Sequence, residues 1–146
     1  MNLLISACLL GVRCRYDGAA RRMERLEELM RRHVLVPVCP EVLGGLPTPR
    51  PPSELREGRV VTRDGQDVTE AFQVGAQTAL AVARAAGCHC ALLKERSPSC
   101  GCAGVYDGTF SGRLCEGQGV CAALLRREGI RVLGESQVEA LLEEKG

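Results

Sequence analysis

The chain has 146 residues, the size of one ordinary folded domain, and 19 basic against 18 acidic residues give a net charge of +1. This balance indicates neither a nucleic-acid-binding surface nor an acidic tail, and two Tyr, two Phe and no Trp provide no stacking platform for single-stranded nucleic acid. No apolar stretch approaches the ~18 residues that span a bilayer, and the N-terminal residues lack the pattern of a secretory signal. We therefore expect a cytoplasmic enzyme or binding domain that contacts neither a membrane nor a nucleic-acid polymer.

In the first third of the chain, two short apolar runs and one amphipathic segment predict the secondary structure. Residues 3–7 and 34–38 are typical of buried strands. Between them, apolar side chains recur at helical spacing and predict a helix over residues 20–32. From Pro40 onward, closely spaced proline and glycine residues predict a long irregular loop.

The rest of the chain alternates strands and helices. Asp64-Gly65 is a hairpin signal between the runs 59–62 and 66–68. After it we predict, in chain order, a helix over 70–86, a strand over 90–94, a helix over 118–127, a strand over 131–133 and a helix over 136–144. The intervening segment 95–117 is rich in Gly and Ser, and a loop of that length in a compact domain is usually functional.

This alternation favours an α/β fold with a mostly parallel four-stranded sheet covered on both faces, that is, three layers with a small hairpin insertion. We expect residues 1–146 to form a single Rossmann-like or flavodoxin-like domain. Strand order cannot be read from the pattern, and we predict the flavodoxin-like order 2-1-3-4. That order places the first and third strands at the switch point, where such sheets bind ligands.

Nine cysteines are present, and an odd number without a secretory signal argues against a disulfide framework. Three of them, Cys8, Cys39 and Cys100, follow the first three strands of the predicted sheet. Because the carboxyl ends of parallel strands open on one edge, their thiolates are expected to converge there. Three thiolates with no obvious fourth suggest a metal centre with one open position. On spacing alone, three unconnected loop thiols explain the pattern equally well.

The remaining cysteines give weaker signals. Cys88 and Cys90 flank His89 at the amino end of the third strand, away from the predicted site, and neighbouring side chains on a strand point to opposite faces, so we interpret both cysteines as core residues rather than zinc ligands. The loop of Cys115 could fold back over the site. Cys14 and Cys102 could each be a fourth ligand, a resolving thiol or neither. No Cys-x-x-Cys pair is present, which disfavours structural zinc.

Several sequence blocks together resemble the thiouracil desulfidase family, long labelled a domain of unknown function. The similarity extends over nearly the whole chain. The blocks are SACLLG (6–11), CRYDG (14–18), VPVCPEVLGGLPTPR (36–50), LKERSPSCG (93–101), YDGTFSG (106–112) and GVCAALL (119–125).

The resemblance implies a Rossmann-like domain with an oxygen-sensitive [4Fe-4S] cluster held by Cys8, Cys39 and Cys100, with one iron left open. It also implies non-redox desulfuration of thiouracil or a thiouracil-type nucleotide to the oxo base and hydrogen sulfide. Glu41 and Ser97 would be the acid–base residues. A carboxylate near a net-negative cluster should have a raised pKa, which suits a general base, and Ser97 could orient the base or the attacking water. Alternatively, Glu41 closes a loop hydrogen bond and Ser97 caps a turn.

Two arginines, Arg50 and Arg96, are candidate substrate-binding residues, because a planar guanidinium can bind a phosphate or a base oxygen. Either could instead be a salt-bridged loop residue. The principal rivals to the enzyme hypothesis are an iron–sulfur sensor or carrier without turnover and a zinc protein with thiolate ligands. Whether the substrate is a base, nucleoside or nucleotide, which ring position carries sulfur, and the oligomeric state are left open by the sequence.

Overall fold

The computed structural model describes residues 1–143. In chain order its elements are β1 (Asn2–Ser6), α1 (Leu26–Arg32), β2 (Val34–Val38), α2 (Pro40–Leu43), β3 (Ser53–Arg56), β4 (Arg59–Thr62), α3 (Thr69–Ala85), β5 (Cys90–Leu93), β6 (Val105–Tyr106), β7 (Leu114–Cys115), α4 (Val120–Arg127), β8 (Arg131–Gly134) and α5 (Glu139–Glu143), with 3-10 turns at Ala7–Leu10 and Glu135–Gln137. Within these residues, no helix has the length and apolarity that crossing a lipid bilayer requires.

The central sheet has four parallel strands in the order β2-β1-β5-β8. These are the four strands predicted from the sequence, and their order confirms the predicted 2-1-3-4 arrangement. Ser6 at the end of β1 lies opposite Val38 at the end of β2, while Leu93 ends β5 opposite Gly134. The strands therefore finish at a common edge, as the α/β prediction requires.

Helices cover both faces of the sheet, which gives the predicted three layers. One buried cluster joins inward side chains such as Leu4 and Ala91 to α3 and α4. The other joins Leu3, Ile5 and Leu92 to α1 and α5. Successive residues of β1 enter opposite clusters because side chains alternate across a strand, so both faces of this strand are apolar.

The first helix is shorter than the predicted segment 20–32. It begins at Leu26, because Arg25 adopts a left-handed conformation (φ 62°) that breaks helical geometry. Upstream, the backbone N–H of Met23 donates to the carbonyl of Leu9 at 2.8 Å, which ties this segment to the first 3-10 turn. The apolar periodicity was genuine, but tertiary hydrogen bonding determines where the helix starts.

The hairpin insertion exists, but its strands differ from the prediction. Strand β4 pairs with β3 through a turn at Glu57-Gly58, where both residues have positive φ (49° and 77°), as a type I′ turn requires. The predicted partner 66–68 contributes only an isolated bridge between Val61 and Asp67. The chain does reverse at Asp64-Gly65, but the strand that pairs regularly with β4 is β3 rather than residues 66–68.

Two elements lie in segments predicted to be loops. Segment 95–117 contains the short antiparallel pair β6–β7. The one-turn helix α2 follows Cys39, with Pro40 at its first position, where the missing N–H costs nothing. At the chain end, the predicted helix 136–144 is divided between a 3-10 turn and α5, and Glu144 lies outside the described residues.

Helix α2 packs directly on α3 through two glycines. A Cβ added to Gly44 would lie 1.9 Å from the carbonyl oxygen of Ala71, and one added to Gly75 would lie 1.8 Å from that of Pro40. Neither position has room for a side chain. This close approach fixes α2, and with it Glu41, relative to the sheet.

Candidate active site

A cavity of about 470 Å³ opens at the carboxyl ends of β1, β2 and β5. This is the edge at which the strand order predicts a ligand site. All the site residues predicted from the sequence line it: Cys8, Cys39, Glu41, Arg50, Arg96, Ser97 and Cys100. Residues separated by up to 92 positions in the chain are therefore brought to one place by the parallel sheet.

Each of the three cysteines enters the cavity from the end of a different strand. Cys8 lies in the 3-10 turn after β1, Cys39 directly follows β2, and Cys100 ends the turn after β5. Cys8 and Cys39 are half-buried and Cys100 is buried, and none forms a disulfide. The convergence expected from strand-end placement is thus observed.

Ser97 shapes the turn that carries Cys100. Its hydroxyl oxygen accepts the backbone N–H groups of Ser99 at 3.1 Å and of Cys100 at 3.0 Å. Gly119 packs against this turn, and a Cβ there would lie 2.4 Å from the Ser99 carbonyl. The turn-capping role weighed from the sequence is therefore present. Because the hydroxyl accepts both bonds, its own proton remains available to donate.

Glu41 is half-buried and paired with Arg50. The guanidinium Nε of Arg50 donates to Glu41 Oε1 at 3.3 Å. Burial raises the pKa of Glu41 above its usual range, and the charge and hydrogen bond of Arg50 oppose this rise. The site thus holds a carboxyl group whose pKa is shifted toward neutrality, as expected for an acid–base residue.

The two arginines predicted to bind substrate differ in their surroundings. Besides Glu41, the Arg50 guanidinium donates to the carbonyl oxygens of Pro47 at 3.0 Å and Cys14 at 2.8 Å, and to Thr48 Oγ1 at 3.0 Å. Its side chain is buried, and each of its three guanidinium nitrogens donates a hydrogen bond to the protein. Arg96, in contrast, is exposed and makes no side-chain hydrogen bond or ion pair within residues 1–143.

Aromatic side chains are concentrated at the cavity. Both tyrosines, Tyr16 and Tyr106, and one phenylalanine, Phe110, line it, whereas Phe72 is buried in the core. The guanidinium of Arg63 lies 5.7 Å from the centre of the Phe110 ring. Sequence analysis did not identify Arg63, Tyr106 or Phe110 as site residues. Three of the four aromatic residues of the chain lie in the sequence blocks that resemble the family, and this concentration was the signal that could have identified them.

Among the other cysteines, only Cys14 lines the cavity. It is buried, and its carbonyl oxygen accepts a hydrogen bond from the Cys39 thiol at 3.7 Å. Cys88 and Cys90 are buried in the two core clusters, one on each face of the sheet, which confirms their prediction as core residues. Cys102 is packed in the core and Cys115 is exposed on β7.

Within residues 1–143, no group of three or more Cys, His, Asp or Glu side chains has the spacing that a single metal ion requires.

Comparison with known proteins identifies the family of the chain. The model of the 2-thiouracil desulfurase family matches residues 3–137. The chain belongs to this family.

Two relatives of this 2-thiouracil desulfurase family member cover almost its full length. A solved structure described as a [4Fe-4S]-dependent thiouracil desulfidase, TudS, is 47% identical, with a TM-score of 0.88 over 96% of this chain and 94% of that one. YbbK of Bacillus subtilis (strain 168), described as uncharacterized, is 41% identical over 96% of this chain and 99% of its own. Family and fold are thereby established together.

Proposed function

We propose that the chain is a desulfidase that hydrolyses a thionated pyrimidine, thiouracil or a thiouracil-type nucleotide, at a [4Fe-4S] cluster. Water replaces the exocyclic sulfur, so that C=S and H₂O become C=O and H₂S. The observation that carries the proposal is the convergence of Cys8, Cys39 and Cys100 on one cavity that also contains Glu41. The cluster named for the 47%-identical relative supports it.

The donor set fits such a cluster. Thiolates are the ligands that iron–sulfur clusters prefer, and the three cysteines are not committed to disulfides. In a cluster each thiolate binds a different iron atom, so the ligands need not have the spacing for one shared ion. Three ligands would leave one iron without a protein ligand, and these residues line a cavity of about 470 Å³.

When bound, the cluster would supply a Lewis-acidic iron that polarises the C=S bond. Glu41 is the group suited to accept a proton from the attacking water, because its burial favours a pKa closer to neutral pH than that of an exposed carboxyl. Ser97 would donate its free hydroxyl proton to the water or the base, while its oxygen continues to hold the Cys100 turn. Arg50 would hold Glu41 in place.

The rim of the cavity suits a pyrimidine that carries an anionic group. Tyr16, Tyr106 and Phe110 provide apolar ring faces on which a flat base can stack. Arg63 and Arg96 provide two cavity guanidiniums without a carboxylate partner within residues 1–143. A nucleotide phosphate would supply the missing negative charge, so we propose a nucleotide as the preferred substrate form.

Anaerobic purification followed by iron and sulfide analysis tests the proposal. The protein should absorb broadly near ~400 nm, as thiolate-bound clusters do, and should release sulfide from a panel of thiouracils and thiouridine monophosphates. Replacing Cys8, Cys39 or Cys100 by Ser should remove both signals. The exposed Cys115→Ser variant is the matched control and should retain both.

Each rival hypothesis gives a different result in the same experiment. A protein that binds the cluster but releases no sulfide from any substrate would be a sensor or carrier rather than an enzyme. A colourless protein with stoichiometric zinc would exclude the cluster. Full activity in a variant lacking one of the three cysteines would remove that residue from the ligand set.

A further inference from the structure

Past the ends of β5 and β8, the two chain segments stay joined through side chains. The carboxylate of Glu135 accepts Lys94 Nζ at 2.6 Å with one oxygen and the backbone N–H of Glu95 at 2.7 Å with the other. In return, Glu95 Oε1 accepts the backbone N–H of Ser136 at 2.6 Å. We call these three hydrogen bonds the Glu135 clasp.

Two further contacts fix residues 94 and 95. A Cβ added to Gly134 would lie 2.4 Å from Glu95 Cγ, so the Glu95 side chain packs directly on the end of β8. On the opposite side, the backbone N–H of Lys94 donates to Ser6 Oγ at 2.9 Å, at the end of β1. Both neighbouring strands therefore hold this segment, although the regular pairing of β5 ends at Leu93.

The chain changes direction at the next residue, Arg96. Its φ of 67° lies in the left-handed region, which is sterically unfavourable for a residue with a side chain. Such a conformation persists only where the surrounding structure holds it. The Glu135 clasp fixes the residue before it, and an isolated parallel bridge pairs Arg96 with Val105. The backbone conformation of Arg96 therefore depends on these neighbouring contacts.

The side chain of Arg96 makes no contact that would explain this conformation. It is exposed, it lines the cavity, and it makes no hydrogen bond or ion pair within residues 1–143. Its direction is thus set by the backbone alone. Unfavourable backbone conformations are concentrated at ligand-binding and catalytic positions, where they hold a side chain in a useful place.

The turn that carries Cys100 is held independently of the Glu135 clasp. The backbone N–H of Gly101 donates to the carbonyl of Ser97 at 2.8 Å, which closes the turn on itself. The backbone N–H of Val120 donates to the carbonyl of Pro98 at 2.9 Å, which fixes the turn on α4. Loss of the clasp should therefore leave this turn, and the cysteine on it, in place.

We propose that Glu135 is a positioning residue that holds the backbone turn at Arg96, so that the Arg96 guanidinium meets an anionic group of the bound nucleotide. Glu135 does not line the cavity and acts through Arg96. A guanidinium that is held in place loses less conformational freedom when it binds a phosphate. The inference rests on the proposed function for the identity of the ligand.

Calorimetric titration of the anaerobically purified protein with uridine monophosphate, the oxo product, measures this role without turnover. Glu135→Ala should raise Kd roughly two- to fivefold, the range of an exposed charge pair. Glu135→Gln keeps an oxygen that accepts the Glu95 N–H and removes a negative charge, so it should bind at least as tightly as the parent protein. Glu116→Ala removes an exposed carboxylate outside the cavity and is the control that should not change Kd.

A double-mutant cycle separates positioning from a purely structural role. If Glu135 acts through Arg96, then Glu135→Ala should cause no further loss of affinity in an Arg96→Ala background. An equal loss in both backgrounds would show that Glu135 supports the fold in general and would overturn the proposal. If Glu135→Ala does not fold, Glu135→Asp replaces it, because its shorter carboxylate cannot reach both donors. Parent affinity in Glu135→Asp would then contradict the proposal.

The remaining outcomes distinguish this inference from the proposed function. Equal Kd values for the parent protein and Glu135→Ala, with sulfide still released from thiouridine monophosphate, would overturn the inference alone. Weaker binding by Glu135→Ala, with no sulfide released from any substrate, would support the inference and overturn the desulfidase proposal. A parent protein that binds no uridine monophosphate would overturn the inference, whatever its activity on free thiouracil.

Discussion

Arg50 and Glu41, which both line the cavity, form an ion pair, with the two side chains only 4% and 18% exposed. The same guanidinium donates to the Cys14 carbonyl, so one side chain connects the carboxylate to the loop beside the cysteines. A lysine could not reproduce these bonds, because its ammonium lacks the planar set of donors. Arg50 therefore determines both where Glu41 lies and how readily it ionises.

Replacing Arg50 by Gln should move the acidic limb of the pH–activity profile to higher pH. Burial raises the pKa of Glu41 and Arg50 lowers it, so loss of the arginine raises this pKa further. A general base works only when deprotonated, and activity is lost as pH falls through its pKa. The measurement is kcat/KM for sulfide release across pH.

Arg96→Gln is the control for this shift, because Arg96 lines the same cavity but makes no ion pair within residues 1–143. It should leave the acidic limb where it is, even where KM changes. An unaltered limb in Arg50→Gln would mean that Glu41 is not the group whose ionisation controls turnover.

Glu41→Gln should separate cluster binding from catalysis. The amide keeps the size of the side chain but cannot accept a proton from water, so kcat should fall by roughly 10²–10⁴-fold, the usual contribution of general acid–base catalysis. Iron content and the absorption near ~400 nm should stay at parent levels, because the ligands are thiolates. Sulfide release and iron analysis on one anaerobic preparation provide both readings.

The matched control is Glu54→Gln, a second carboxylate that lines the cavity. Glu54 Oε1 accepts the backbone N–H groups of Gly108 at 3.0 Å and of Phe110 at 3.1 Å, and a glutamine oxygen can accept the same bonds. Its replacement should therefore leave kcat nearly unchanged. Equal losses in the two variants would argue that the cavity needs negative charge in general rather than a base at Glu41.

Sequence predicted those parts of the molecule that depend on local pattern and on the geometry of parallel sheets. The run 34–38 coincides with β2, and Cys39 follows a strand end that must lie beside Cys8 when β1 and β2 are parallel. The convergence of the three cysteines follows from strand order alone. The local pattern gave the strand ends but not the strand order, so the cavity could be placed only once the order 2-1-3-4 was assumed.

The walls of the cavity depend on contacts between distant segments, which no local pattern contains. Phe110 is positioned by a hydrogen bond from its backbone to Glu54, 56 residues earlier, and by the ring contact with Arg63. The role of Cys14 was left open by the sequence, because the contacts that hold it at the cavity come from Cys39 and Arg50, which lie far from it in the chain. Long-range pairing decides these positions.

Gly75→Ala should destabilise the protein and impair the site together. The added Cβ would lie 1.8 Å from the carbonyl oxygen of Pro40, so α2 must move away from α3. Overpacking of this kind typically costs about 1–3 kcal/mol in the free energy of unfolding. Because α2 carries Glu41, sulfide release should fall in the fraction that remains folded.

Urea unfolding compares this variant with Gln77→Ala, an exposed position on the same helix. The control should unfold within about 0.5 kcal/mol of the parent protein, as surface substitutions usually do. A Gly75→Ala protein with parent stability and activity would show that the α2–α3 contact tolerates a side chain and does not fix Glu41.

Arg63→Ala should weaken binding of thiouridine monophosphate more than that of thiouracil. Arg63 is an exposed guanidinium at the rim, beside the Phe110 ring, and only a substrate with a phosphate can pair with it. Loss of about 1 kcal/mol, a discounted value for an exposed charge pair, corresponds to a KM roughly fivefold higher for the nucleotide. The KM for the free base and kcat for both substrates should change little, since Arg63 follows β4 and makes no hydrogen bond or ion pair with Glu41 or the cysteines within residues 1–143. Arg13→Ala removes an exposed arginine that does not line the cavity and should leave all four constants unchanged. An equal rise in KM for base and nucleotide would instead assign Arg63 to the support of Phe110, because stacking on that ring is common to both substrates.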